Sequence, residues 1–402
     1  MTRHPLGNRD FIRAINRSAV LNTIKTSGPA SRTDVARLTG LSAATITGIT
    51  ADLIAEDLVF EKASGDSRGG RRPILLAVNP RGRFVIGLKL TETQVIGALT
   101  DLEATVIAKR ADPMTSHSVE QALDALSACV LALLREGGLR KKQLLGVGLG
   151  LAGIVDAERG RLRLSPYFGW RDVPLRDWLQ DRLRVPVTVD NDVNTLTLAE
   201  KWFGAGQGVD HFLTLTVGRG VGLGIVVNGQ FYRGAQGGAG EFGHTVIDPA
   251  GPLCDCGKRG CLETYVGDPG LLRMANEAIA RGELEGPVTD TGDLVARAAA
   301  GNQAARAVFA LAGDVLGRGV ANLINVLNPE RIIIGGEGVR AGQWLFGPMR
   351  AAVERYVMAG LLPDTEIRVE PWGDDAWARG AASLVLRALF ESPVHGATAQ
   401  GT

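Results

Sequence analysis

The most informative part of this sequence is Glu241-Phe-Gly-His244, followed by Cys254-Asp-Cys256-Gly-Lys-Arg-Gly-Cys261-Leu-Glu263. One imidazole and three thiols form the donor set of a tetrahedral structural Zn²⁺ site, in which no position is left for water. Glycines at positions 257 and 260 allow a tight turn between the thiols. We therefore predict a structural zinc ion. The alternative is that these residues are a coincidental cluster of free thiols that binds no metal. The zinc ligands would be His244, Cys254, Cys256 and Cys261.

Polar residues upstream of this segment add a second kind of chemistry. The run Asp190-Asn191-Asp192-Val193-Asn194 directly follows an apolar strand, and Glu241, His244 and Glu263 surround the cysteines. Carboxylates and amides at strand ends suit a polyhydroxylated ligand, because each hydroxyl group both donates and accepts a hydrogen bond. In a kinase, Asp192 would be the general base on the attacking hydroxyl. A turn or helix-capping role is the alternative for Asp192.

The chain around these motifs alternates short strands with longer helical patterns. Strands that end in glycine-rich turns are predicted at 84–90, 145–155, 187–190 and 212–217, and an amphipathic helix at 119–134. This alternation predicts an α/β fold. The strand cluster at 84–110 recurs in kind at 212–232, so we expect two similar lobes with a cleft between them.

The first eighty residues have a different pattern. Helices are predicted at 16–27, from Ser31 to Gly40, and at 42–56, with a glycine-containing turn before the last. Strands at 58–62 and 74–78 follow, joined by an arginine-rich loop. This order predicts a winged helix-turn-helix. A small protein-interaction module with a basic loop is the alternative.

The third helix and the loop carry the predicted DNA contacts. Small and hydroxyl-bearing side chains near the start of the helix let its backbone approach a major groove closely. Arginines at the tip of the hairpin suit phosphates or a narrow minor groove. The predicted contacts are Ser42, Ala43, Ala44, Thr45, Thr47 and Thr50 on the helix, and Arg68, Arg71 and Arg72 in the loop.

Charge and composition agree with a DNA-binding segment at the start of the chain. Residues 1–83 hold 13 basic and 7 acidic residues, whereas the remainder holds 31 and 36. Phosphate attraction needs local positive charge, not a basic protein as a whole. No apolar run approaches the roughly 18 to 20 residues of a membrane span, and the start lacks a signal peptide. We expect a cytoplasmic protein without membrane contact.

These motifs resemble the ROK family of repressors, open reading frames and kinases, from the helix-turn-helix to about Leu389. The first segment resembles the family's Glu-x-Gly-His signature, and the second its Cys-x-Cys-Gly-x-x-Gly-Cys-x-Glu motif. The resemblance implies a two-lobed actin-like fold of the sugar-kinase type, and a His244 shared between zinc and sugar. It implies a sugar pocket lined by Gly153, Asn191, Asp192, Glu241, His244 and Glu263.

The sequence departs from the family's kinases at both phosphate loops. Lys89-Leu90-Thr91-Glu92-Thr93 stands where those kinases have Asp-x-Gly-Gly-Thr, and Arg219 stands where they have Thr. Side chains at Thr91 and Glu92 would obstruct phosphates, and Glu92 would also repel them. We therefore expect no kinase activity, with Asp192 retained as a sugar ligand.

Together these observations predict a repressor of carbohydrate genes whose affinity for double-stranded operator DNA responds to a sugar or sugar phosphate. It would act as a homodimer or homotetramer. The predicted domains are 1–82 (winged helix-turn-helix), 83–392 (ROK domain) and 393–402 (a disordered tail). The alternatives are a working sugar kinase with a DNA-binding appendage, and a repressor controlled by a protein partner.

Overall fold

The computed structural model describes residues 9–62, 74–372 and 375–390. The predicted contacts Arg68, Arg71 and Arg72 and the predicted tail at 393–402 lie outside these residues. The described chain forms two compact units. The first contains the residues up to Leu149, Arg176–Val189 and those from Ala381 onward, and the second contains Gly150–Leu175 and Asp190–Gly380.

The chain begins with three helices and a small sheet. The helices are α1 (Arg9–Ser27), α2 (Arg32–Thr39) and α3 (Ala43–Ala55), and the strands are β1 (Ala30–Ser31), β2 (Val59–Lys62) and β3 (Leu75–Val78). The strands lie in the order β1-β3-β2, and β2 pairs with β3 antiparallel from Val59 opposite Val78 to Lys62 opposite Leu75. These bounds agree closely with the predicted second and third helices and hairpin strands.

Local capping explains where α2 and α3 begin and end. The Ser31 hydroxyl accepts from the Asp34 backbone N–H and donates to its carboxylate. Gly40 ends α2 with a left-handed φ of 70°, and the Ser42 hydroxyl then accepts from the Thr45 N–H at the start of α3. The turn between the two helices is therefore set by short-range hydrogen bonds that a sequence can specify.

A five-stranded sheet dominates the rest of the first unit. Its strands lie in the order β11-β7-β4-β5-β6, and β4, β5 and β6 form an antiparallel meander. Its elements are β4 (Phe84–Leu90), β5 (Gln94–Thr100), β6 (Val106–Pro113), α4 (Val119–Glu136), β7 (Leu144–Leu151), α5 (Leu175–Leu183), β11 (Val187–Asn191) and α12 (Asp375–Phe390). The apolar stripe of α4 packs on β5 and β6, as its spacing predicts.

The second unit is built on a sheet with the same strand order. Strands β12 (Phe212–Val217), β13 (Val221–Val227) and β14 (Gln230–Tyr232) form an antiparallel meander, and β15 (Arg331–Gly335) and β16 (Glu366–Val369) run parallel to β12 on its other side. Numbered along the chain, both sheets have the order 3-2-1-4-5. The predicted recurrence of a strand cluster is confirmed.

Helices and a three-stranded insertion complete the second unit. The insertion contains β8 (Ile154–Asp156), β9 (Arg161–Ser165) and β10 (Trp170–Val173), in the order β10-β9-β8. The helices are α6 (Asp192–Phe203), α7 (Glu263–Val266), α8 (Asp268–Ala280), α9 (Thr291–Ala299), α10 (Gln303–Leu327) and α11 (Gln343–Tyr356).

Helix α10 is, among the described residues, the single helix long and apolar enough to cross a bilayer. Its apolar stretch is 61% buried within the protein, and α11 packs along it. Helices α2 and α3 pass the same test together but are bent by 117° between them. A helix that is apolar on most faces is typical of the interior of a large unit, and burial accounts for the composition of α10.

The first three helices share a compact unit with the first sheet. The Leu102 N–H donates to the Pro80 carbonyl, and the Arg83 guanidinium donates to the carbonyls of Glu56 and Lys142. Lys25 of α1 lies 4.2 Å from the centre of the Phe390 ring, and burial lowers its pKa to about 8. These contacts join α1 to α12 and the end of α3 to the segments that flank the first sheet, and the domain boundary at residue 82 stays a prediction.

Candidate sugar and metal site

The four predicted metal ligands lie together in the second unit. The Sγ atoms of the three cysteines and a ring nitrogen of His244 are all within 4.8 Å of one another. His244 Nδ1 is 3.5 Å from Cys254 Sγ, and Cys256 Sγ is 3.6 Å from Cys261 Sγ. These separations are those of ligands around one small ion, so the group could hold a metal.

The backbone around the cysteines forms a knuckle that brings the thiols together. The Cys254 N–H donates to the Lys258 carbonyl, and Val246 pairs with Cys261 in an isolated antiparallel bridge. Gly260 has a positive φ of 65°, and a Cβ there would overlap the Asp248 carbonyl oxygen. Glycine is therefore required at this position for both its conformation and its size.

Asn191 and Asp192 lie at the junction where β11 ends and α6 begins. Asn191 caps α6, since its Oδ1 accepts from the backbone N–H groups of Val193 and Asn194, and its Nδ2 donates to the Gly153 carbonyl at 3.0 Å. A Cβ at Gly153 would overlap the Leu164 carbonyl oxygen. Gly153 and Asn191 are therefore brought together as predicted, and their mutual bond shapes the turn that carries Asp192.

Three carboxylates gather beside His244. Burial raises the pKa of Glu241, His244 lowers it, and the negative charges of Glu263 and Asp192 raise it further. Glu263 Oε2 accepts from the Val221 N–H at 2.9 Å, which fixes that carboxylate against the turn after β12. The predicted residues Asp192, Glu241, His244 and Glu263 thus share one electrostatic environment rich in hydrogen-bond acceptors.

The imidazole of His244 has a different neighbour on each side. Its Nδ1 faces Cys254 Sγ, whereas its Nε2 lies 3.8 Å from Glu241 Oε2. The short helical turn Phe242–His244, with Phe242 and Gly243 buried, holds the ring between the thiols and the carboxylate. One side chain can therefore bind a metal through Nδ1 and present Nε2 to another ligand.

Two members of the polar run at 190–194 point into the protein. Asp190 and Asn194 are 0% and 3% exposed, and Asn194 Nδ2 donates to Asp190 Oδ1 at 2.8 Å. The residue that balances the Asp190 charge is Arg233, which the sequence analysis did not single out. An arginine distant in sequence carries no signal in a one-dimensional pattern, and the fully buried carboxylate is what reveals it.

The turn Gly218-Arg-Gly-Val-Gly222 is surrounded by large side chains from other segments. Arg219 stacks on the Tyr167 ring, with Cζ 5.0 Å from its centre, and lies 3.9 Å from the Asp255 carboxylate. The Glu337 carboxylate packs directly against Gly218. Two charged side chains, Arg219 and Glu337, therefore lie beside this glycine-rich turn.

Most of the predicted DNA contacts lie on the open face of α3. Ser42, Ala43, Ala44 and Thr47 are exposed and Thr45 is half-buried. Thr50 differs, because its side chain is 0% exposed and its hydroxyl donates to the Thr47 carbonyl and accepts from Arg32 Nε. The placement of Thr50 on the exposed face is therefore wrong, since it lies one turn beyond Thr47 on the side that faces α2.

Known proteins resemble this chain along nearly its whole length. The xylose repressor of Caldicellulosiruptor bescii is 32% identical over 397 residues, which span 96% of this chain and 99% of that protein. The crystal structure of a ROK family transcriptional regulator, a homologue of the E. coli Mlc protein, superposes with a TM-score of 0.86. It is 28% identical, and the match covers 98% of this chain and 100% of the other.

A kinase is similar over a shorter span. A ROK family glucokinase from Streptomyces griseus, solved in complex with glucose and AMPPNP, is 30% identical with a TM-score of 0.67. The match covers 75% of this chain and 98% of that chain. Residues 85–388 of the present chain match the ROK family. The chain therefore belongs to the ROK family and has that family's actin-like fold.

Proposed function

We propose that this protein is a DNA-binding transcriptional repressor whose operator affinity is set by a sugar bound at the site around Glu241 and His244. The observation that carries the proposal is the presence, in one chain, of this acceptor-rich cluster and an exposed, small-residue face at the start of α3. Similarity to a xylose repressor over 96% of the chain supports it.

In this proposal the first three helices and the hairpin are a winged helix-turn-helix. Helix α3 enters the major groove with its N-terminal turn, where small side chains allow close approach. The hairpin arginines contact phosphates beside it. The proposed contacts are Ser42, Ala43, Ala44, Thr45, Thr47, Arg68, Arg71 and Arg72.

The metal of the knuckle is proposed to be a structural zinc ion. Three thiolates and one imidazole are the donor set that zinc prefers in closed sites. When bound through Nδ1, zinc would fix the orientation of His244, so that Nε2 and the Glu241 carboxylate face the sugar hydroxyls. Gly153, Asn191, Asp192 and Glu263 complete the proposed sugar pocket.

A kinase function is the second candidate because the glucokinase shares the fold. The surroundings of Gly218 disfavour it, since the Glu337 carboxylate lies against this glycine and would repel a phosphate there. The segment Lys89–Thr93 stands at the position of the first phosphate loop of the family's kinases, and it lacks the two glycines of that loop. We propose that Asp192 serves only as a hydrogen-bonding ligand of the sugar.

The proposed repressor acts in the cytoplasm as a homodimer or homotetramer, presenting two copies of α3 to a symmetric operator. A sugar that binds two arrangements of the protein with different affinities shifts operator binding, and typical couplings of about 1 to 3 kcal/mol correspond to about 5- to 150-fold.

A titration of the zinc-loaded protein with two fluorescent duplexes tests this function. One duplex comes from the region upstream of the protein's own gene, and the other is a shuffled sequence of equal length. We expect about a thousandfold or greater preference for the first at physiological salt. Equal affinity would contradict a repressor. ADP release from ATP that depends on D-glucose or D-xylose would instead support the kinase.

A further inference from the structure

The carboxylate of Asp190 is the most completely buried charge near the sugar site. Its side chain is 0% exposed. Each of its two oxygens accepts two hydrogen bonds. Oδ1 accepts from the Asn191 N–H and from Asn194 Nδ2, each at 2.8 Å. Oδ2 accepts from Arg233 Nε at 2.9 Å and Nη2 at 2.6 Å.

This arrangement makes the position of Asp190 depend on Arg233. A buried carboxylate is tolerated only when it is paired and its lone pairs are satisfied. Arg233 supplies the opposite charge and two of the four donors. Asp190 in turn binds the backbone of Asn191 and the side chain of Asn194, so the pair fixes the turn that places Asn191 and Asp192.

Arg233 is also attached to the segment that leads to Glu241. It directly follows β14, its guanidinium lies 4.4 Å from the centre of the Phe231 ring, and its carbonyl accepts from the Ala239 N–H at 3.1 Å. Gly240 then accepts from the Leu223 N–H, which joins the end of this loop to β13. The loop from Arg233 to Gly240 is therefore closed on itself and anchored just before Glu241.

We propose that Arg233 is the positioning residue of the sugar site, which holds the Asn191–Asp192 turn and the Glu241–His244 segment in register through its pair with Asp190. Arg233 does not touch the sugar. It determines whether the two sets of ligands, which come from separate parts of the chain, face one ligand together. This inference rests on the proposed function, because it assigns these residues to a sugar.

The planar fork of the guanidinium explains why arginine suits this role. Nε and Nη2 both reach Asp190 Oδ2, and this fixed geometry orients the carboxylate, whereas a lysine would supply a single flexible point charge. Arg233→Lys is therefore expected to keep the charge and lose part of the alignment. Arg233→Gln loses both, and a double variant with Asp190→Asn removes the uncompensated buried charge.

The test compares zinc-loaded, full-length variants in two independent measurements. The matched control is Arg163→Gln, which removes an arginine that contacts Gln236 in the same loop but not Asp190. The first measurement is amide hydrogen exchange without sugar. In Arg233→Gln we expect faster exchange in both 190–194 and 238–244, with unchanged exchange in β12 and unchanged zinc content. The control should leave both segments as in the wild type.

The second measurement is calorimetric titration with D-xylose and D-glucose. We expect Arg233→Gln to weaken binding roughly 10- to 100-fold, the range in which partners that orient ligand residues act, with Arg233→Lys between it and the wild type. The double variant should fold and still bind weakly. If the wild type binds neither sugar, the proposed effector class fails, and the exchange measurement still decides the role of Arg233. The inference would be overturned if both segments of Arg233→Gln exchanged their amide hydrogens at the same rate as in the wild type.

Discussion

At the scale of single residues, the two ring nitrogens of His244 face two different kinds of side chain. Nδ1 faces the thiols and Nε2 faces Glu241, so the ring orientation that suits a metal also aims Nε2 at the carboxylates. Because a metal bound at Nδ1 would fix the tautomer, the proton of the neutral ring would then reside on Nε2 and could be donated to a sugar oxygen.

Two glycines of the knuckle give a matched test of the metal site. Gly257 and Gly260 both have positive φ, at 86° and 65°. A Cβ at Gly257 meets no atom within 4 Å, whereas one at Gly260 overlaps the Asp248 carbonyl oxygen. We expect Gly257→Ala to retain about one zinc per chain and Gly260→Ala to lose most of it, because the thiols separate. Mass-spectrometric metal analysis after dialysis checks this.

Retention of zinc by both variants would show that the knuckle tolerates the shift. Wild-type protein dialysed without chelator is the reference for full occupancy.

The sequence predicted that these four candidate ligands lie together, but it did not reveal the buried partners. Cysteine and histidine spacing identified all four members of the group that lies within 4.8 Å. The same reasoning placed Thr50 on the open face of α3 and assigned no partner to Asp190. Both errors concern which side of an element faces a neighbour from elsewhere in the chain, and a linear pattern does not contain that neighbour.

At the scale of elements, helix α3 carries one exposed threonine and one buried threonine. Thr47 is exposed and its hydroxyl donates to the Ala43 carbonyl, whereas the buried Thr50 hydroxyl accepts from Arg32 Nε at 3.2 Å. Substitution with valine keeps the shape of each side chain and removes the hydroxyl.

These two threonines make a second matched pair. We expect Thr47→Val to weaken operator binding at least about fivefold with little change in stability, since the loss of a groove contact costs about 1 kcal/mol or more. Thr50→Val should lower the free energy of unfolding by about 1 kcal/mol and affect DNA only through the fold. Anisotropy titrations and urea unfolding measure the two effects. If Thr47→Val lowered the free energy of unfolding and only Thr50→Val weakened operator binding, the proposed DNA-binding face of α3 would be contradicted.

Element boundaries were predicted best where short-range signals exist. Caps at Ser31 and Ser42 and the turn at Gly40 set α2 and α3 within a residue or two of expectation. Helix α1 begins at Arg9, seven residues before its predicted start, and the ion pair between Arg13 and Asp52 joins this first part of the helix to α3. The insertion β8–β10 was missed because its strands are short.

At the scale of the whole molecule, two sheets of identical strand order support different roles. The first shares a compact unit with α1–α3, and the second belongs to the unit that contains the candidate metal ligands and the carboxylates. The recurrence was visible in the sequence, because strand spacing and glycine turns repeat. The division into units was not, since it runs through β7, β11 and α12 and depends on long-range packing.

Similarity to both a repressor and a kinase is accounted for by the same architecture. The kinase matches 75% of the chain, whereas the regulator matches 98%. In the proposed function, a regulator differs from a kinase by the coupling between the proposed sugar site and helices α1–α3. We propose that this coupling is how a sugar controls operator binding.

The most direct test is the operator affinity of the wild type and of Asp192→Asn, each with and without saturating D-xylose or D-glucose at fixed salt. We expect one sugar to change the wild-type dissociation constant about 5- to 150-fold, and Asp192→Asn to keep the sugar-free affinity while losing the change. An equal response of both proteins, or no response of the wild type to either sugar, would contradict control of the operator by this pocket.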